Sequence, residues 1–102
     1  METWAGRSEF EYTGSVERGT EIIYGQGNRI TVSAETYRLL RRSFLNQTVQ
    51  IGTSRDNHPR GSLGSWLQQH VTPTAIASYV GPILIEEGFA EKVSDHEIRV
   101  IR

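Results

Sequence analysis

Asp56, Asn57 and His58 place a carboxylate two residues from an imidazole, a pairing able to orient a catalytic histidine or to hold a metal ion. Neither chemistry works with two groups alone. The sequence offers no third partner at a diagnostic spacing, so the expectation is an ordinary polar loop. His70 is expected at a helix end, where a cation suits the helix dipole. Gly25-Gln26-Gly27-Asn28 has the glycines of a phosphate cradle, but not the spacing or the following lysine. It precedes a strand-like run and reads as a turn. The chain has no cysteine, which excludes a disulfide framework, a thiolate zinc site and a cysteine nucleophile. No catalytic residue, metal or cofactor is expected, and the chain does not read as an enzyme.

Binding is better represented than catalysis. Arg38, Arg41 and Arg42, with Arg55 and Arg60, would suit phosphate groups; the alternative is a solvated helix face and loop. The formal net charge of −1 argues against a dedicated non-specific nucleic-acid binder, which is usually strongly basic. Tyr79 would stack on a base or touch a partner protein, with Ala75 and Ser78 small enough to let another surface approach. The alternative is a partly buried edge residue. Trp66 lies on an apolar helix stripe and is expected in the core. Trp4 sits among polar residues and is expected either in a disordered tail or as an interface anchor.

The elements that must position these residues follow from periodicity. The 102 residues fit one domain, and 36% hydrophobic with 23% charged residues is compatible with a globular chain. Residues 1–8 read as a frayed tail without a signal-peptide core. Apolar runs are too short to span a bilayer, so a cytoplasmic protein without a membrane partner is expected. Phe10, Tyr12 and Gly14 alternate with polar residues, as in a half-exposed strand. Glu17-Arg18-Gly19 marks a turn, Glu21 to Tyr24 a second strand, and Arg29 to Val32 a third. Residues 9–32 therefore read as a small antiparallel meander.

Helices follow. Ser33 caps the first, whose apolar stripe is Tyr37, Leu40 and Phe44. A short strand is expected at 49–51. Ser62 caps a second helix carrying Leu63, Trp66 and Leu67. Thr72-Pro73 reads as the start of a third, with Ile76, Val80, Ile83 and Leu84 as its stripe. Pro82 has no N–H for the Ser78 carbonyl, so a kink is expected there. Gly88 stops the helix, and strands are expected at 89–93 and 97–101.

The order from residue 33 to 102 resembles the winged helix-turn-helix superfamily. The resemblance is carried by Leu84, Glu86-Glu87, Gly88 and Phe89, which match the usual end of a recognition helix and start of its wing. It implies an α+β fold, a three-helix winged helix with a C-terminal β-wing, preceded here by the β-meander. Residues 9–102 would form a single domain. It also implies a DNA-binding regulatory or accessory role, with Thr74, Ala75, Ser78 and Tyr79 facing the groove, Lys92 and Arg99 on phosphates, and Arg41 and Arg42 on the backbone. The alternative is a non-enzymatic protein-interaction module, dimeric through Phe10, Tyr12, Ile22, Ile23 and Tyr24 of the meander. A recognition face without arginine or lysine fits that alternative.

Overall fold

The computed structural model describes residues 1–54 and 59–102. Its first sheet is the meander: β1 (Glu11–Ser15), β2 (Gly19–Tyr24) and β3 (Asn28–Ser33), antiparallel and in that spatial order. The central strand puts Ile22 inward opposite Tyr12 and Ile30. Three helices follow, α1 (Ala34–Phe44), α2 (Leu63–His70) and α3 (Ala77–Glu86), with β4 (Thr48–Gln50) between the first two. The chain closes with the hairpin β5 (Ala90–Ser94) and β6 (Glu97–Val100). β4 joins the free side of β6, giving a second antiparallel sheet in the order β4-β6-β5. The protein is thus a mixed α+β chain of three helices and two small antiparallel sheets.

Both serine caps form as read. Ser33 Oγ accepts from the Thr36 N–H and Ser62 Oγ from the Ser65 N–H. α1 lies on β2 and β3, where the buried Tyr37 hydroxyl shares a 2.7 Å hydrogen bond with Thr20 Oγ1. Leu40, Phe44, Leu63, Leu67, Ile76, Leu84 and Phe89 are buried together, as expected. Trp66 differs from expectation: it is half-buried at the edge of the core, stacked on His70 and edge-to-face with Phe44.

The third helix starts later than Thr72-Pro73 suggests. Thr72 Oγ1 accepts from the Thr74 N–H two residues on, a local turn rather than a helix cap. The helix begins at Ala77, and Thr74 and Ala75 precede it. Pro82 does not break it. The helix ends at Glu86, and Gly88 just beyond the C-cap has a φ of 81° that is costly for any residue with a Cβ. None of the helices among the described residues is long and apolar enough to cross a membrane.

The first ten residues form a hairpin, not a frayed tail. The Phe10 N–H donates to Met1 O at 2.8 Å, the Met1 ammonium donates back to Phe10 O at 3.0 Å, and the Thr3 N–H donates to Ser8 O at 3.0 Å. Trp4 lies near the apex and is only 6% exposed. Its local sequence is mostly polar, and its partners lie at the other end of the chain.

Candidate functional site

The eight residues expected to meet DNA fall into two separate places. Thr74, Ala75, Ser78, Tyr79 and Lys92 lie around α3 and β5; Arg41, Arg42 and Arg99 lie on α1 and β6.

On the α3 side, the N-terminal hairpin occupies the cleft between α3 and the β5–β6 hairpin. Proline at position 82 removes the N–H that would satisfy the Ser78 carbonyl. That carbonyl instead accepts the Trp4 backbone N–H at 2.9 Å. The Trp4 indole N–H donates to Asp95 O at 2.7 Å, in the turn of the β5–β6 hairpin. Gly81 leaves room for the ring: a Cβ there would stand 3.0 Å from Trp4 Cε3 and 2.9 Å from Ile51 Cδ1. The Lys92 ammonium sits 4.8 Å from the indole centroid, a cation–π contact that holds it over Trp4.

The neighbouring turn of α3 is covered by the meander. The Tyr79 ring lies 5.1 Å from Phe10 and 4.9 Å from Tyr24. Its phenol is shifted upward, first by burial and then by its neighbour Tyr24. At the C-terminal end, the Glu87 carboxylate accepts from the Tyr12 hydroxyl at 2.7 Å and the Val16 N–H at 2.9 Å. Tyr12 is consequently pushed up to about 12, with burial the main cause and Glu87 the next. Thr74, Ala75 and Ser78 are half-buried. Of the residues expected on the recognition face, Ser78 and Tyr79 thus make contacts with the N-terminal hairpin and the meander. The apolar meander residues expected at a dimer interface are largely covered within the same chain: Phe10 and Ile22 are buried, and Tyr12 and Tyr24 pack on α3.

The α1 side is open. Arg38 and Arg42 are exposed one turn apart, with exposed Leu39 between them and exposed Leu45 at the C-cap. Arg41 is half-buried: its guanidinium stands 4.3 Å from the Phe89 centroid and its Nε–H donates to Arg102 O at 2.9 Å. Arg102 also stacks on Phe89, at 4.7 Å, and donates to the Gly88 and Glu87 carbonyls at the end of α3. Arg99 donates to Thr48 Oγ1 at 3.4 Å across the β4–β6 pair. Among the described residues the one salt bridge is Arg29–Glu21, far along the meander, and none joins these α1 and β6 arginines to a carboxylate. Arg60 borders a groove between α1 and α2 with Phe44 and Trp66.

The Asp56-Asn57-His58 pairing, and Arg55, lie outside the described residues. Among the described residues, no group of three or more histidines, aspartates or glutamates is placed to hold a metal ion. No family model, curated protein or solved structure matches the chain.

Sequence reasoning missed Trp4 as the residue that fills the α3 cleft. One signal was available: Pro82 exposes a carbonyl at Ser78 that some other donor must satisfy. The identity of that donor is a tertiary fact.

Proposed function

We propose that the chain is a non-enzymatic protein-interaction module built on a winged helix, with its N-terminal hairpin and meander sealing the α3 side. The winged-helix reading of residues 33–102 is supported by the order α1, β4, α2, α3, β5, β6 and by the Gly88 stop between α3 and β5. The interaction reading rests on one observation: Trp4 fills the cleft where a major groove would have to be read, hydrogen-bonded to both of its walls. Base reading needs side chains free to reach base edges. Here Tyr79 is packed between Phe10 and Tyr24, and Lys92 stands over the indole.

A shift assay against mixed-sequence duplex at about 50 mM salt tests this, because low salt favours any phosphate contact. No retardation is expected. Retardation that Lys92→Ala weakens for all sequences, with the salt slope reduced by about one ion, would establish DNA binding through the β5–β6 hairpin instead.

DNA binding remains a second reading on a separate observation: among the described residues Arg41, Arg42 and Arg99 have no salt-bridge partner, although Arg41 and Arg99 make hydrogen bonds within the chain. It would run through phosphates alone and carry little sequence preference. Retardation that is abolished by Arg42→Ala and indifferent to Lys92→Ala would favour it.

A further inference from the structure

We propose that the free edge of β3 pairs antiparallel with the β3 edge of a second copy of this chain, about a two-fold axis at Thr31, so that two meanders form one continuous sheet. The proposal rests on the interaction-module reading and deepens it by naming the surface and the partner.

β3 (Asn28–Ser33) is an outer strand of the meander, with β2 on one side only. The Val32 carbonyl faces β2: a Cβ on Gly19, which pairs with Ser33 across the ladder, would stand 3.2 Å from it. Strand backbone alternates, so the N–H and C=O groups of Arg29 and Thr31, and the Ser33 N–H, turn away from β2. Among the described residues nothing else hydrogen-bonds to them. Arg29, Thr31 and Ser33 are all exposed. Such a row of unpaired donors and acceptors is a template for another strand.

The other sheet edges among the described residues are blunted. β1 is bent by the left-handed Gly14, at φ 86°, and the Val16 N–H just beyond it is held by Glu87. β4 is three residues long. β5 slips register against β6 between Lys92 and Ser94, and Lys92 is exposed on it. Short strands, bulges and lysines are the devices that keep edges from pairing. β3 has none of them: no proline, no lysine and no break in register with β2. Its one charged residue, Arg29, is neutralised within the sheet by Glu21 at 2.6 Å.

The pattern of β3 also selects its partner. Residues opposite one another in an antiparallel pair point to the same side of the sheet, so a two-fold axis must pass through a residue. An axis at Thr31 sets Thr31 against Thr31, Ile30 against Val32 and Arg29 against Ser33, with no like charges facing. The groups bonded are then the outward-turned ones of Arg29, Thr31 and Ser33. An axis at Ile30 would call on groups that already serve β2. Threonine pairs and β-branched pairs are favourable neighbours across strands. Ile30, half-buried against the core, gains an apolar neighbour on its open side. A helix spends its own N–H and C=O groups internally and offers no such row.

The experiment is analytical ultracentrifugation of the full chain from about 1 μM to about 1 mM. One strand per chain is a small contact beside the roughly 1,200–2,000 Å² of a stable interface, so the association is weak and concentration-dependent. The mass is expected to rise from that of one chain towards that of two. Thr31→Lys sets like charges face to face at the axis and is expected to weaken association at least tenfold, with the melting temperature of the dilute protein unchanged. The absence of cysteine allows a second measurement. In Thr31→Cys the two thiols flank the axis with their Cα atoms about 5.5 Å apart, within disulfide range. Mild oxidation is expected to link this variant at least tenfold faster than Thr13→Cys, which lies exposed on β1. A single-chain mass throughout, association that Thr31→Lys leaves intact, or equal cross-linking of the two cysteine variants would each overturn the pairing. All three leave the interaction reading standing; duplex retardation that depends on Lys92 would sink that reading whether or not the chain dimerises.

Discussion

Helices α3 and α1 both lie in the same small fold, but their outward sides are finished differently. α3 contains Ser78 and Tyr79, two of the residues the sequence marks for recognition, and both are committed to partners within the chain. Ser78 holds Trp4, Tyr79 packs on Phe10 and Tyr24, and the Glu87 cap holds Tyr12 and Val16. α1 contains Arg38, Leu39 and Arg42, exposed and without ion-pair partners among the described residues. The contrast teaches that a helix can be identified by its place in the chain order while its free surface is decided elsewhere. In this protein, the N-terminal hairpin and the meander decide it for α3.

The contrast is broken most directly at Trp4. If the hairpin belongs to the fold, Trp4→Ala should cost about 3–5 kcal/mol, as burial of an aromatic of that size implies. Chemical denaturation measures it. A loss below about 1 kcal/mol would mean that the α3 cleft is not closed in solution.

A smaller effect is expected where the meander meets α3. Tyr12→Phe removes a donor to the Glu87 carboxylate and should cost about 1 kcal/mol, since the pair is half-exposed and water competes for it. The same contact has a pH signature. Tyr12 ionises near 10.0 when unfolded and near 12 when folded, because burial and Glu87 disfavour the phenolate. The folded state therefore holds its proton more tightly. The associated stability is complete below pH 10.0 and is lost as pH rises towards about 12. Burial also raises Tyr37 and Tyr79, so the whole protein should weaken over that alkaline range, and Tyr12→Phe should make the decline shallower. An identical decline in both proteins would show that folding does not raise Tyr12.

The smallest effect is expected on α1. Arg38→Ala should change stability by no more than about 0.5 kcal/mol, because an exposed arginine without an ion-pair partner contributes little to the fold. A larger loss in a thermal or denaturant melt would make that face structural and remove the contrast with α3.

Local signals were legible in the sequence, and long-range ones were not. Ser33 and Ser62 could be read as caps because capping is decided within three residues, and the stripe Tyr37, Leu40 and Phe44 because a helix repeats every 3.6 residues. Gly88 was legible because a glycine just past a helical stripe commonly takes the positive φ that ends a helix. Thr72-Pro73 misled because a hydroxyl before proline also makes a local turn, and the Thr74 N–H chose that option. Trp66 fell on an apolar stripe, but its place at the helix edge depends on how α2 leans on α1. Of the expected DNA-facing set, residue type was a poor guide to availability: Tyr79 and Lys92 were taken up by aromatic partners distant in sequence.

The Trp4–Asp95 hydrogen bond joins residues 91 positions apart. Closing so long a loop has an entropic cost that neighbouring contacts cannot offset early. The indole has nowhere to dock until α3 has formed with Pro82 in it and the β5–β6 hairpin has turned. The Trp4 side chain can therefore reach its place only after the segments around Ser78 and Asp95 have taken theirs, however early the local bonds of its own hairpin close.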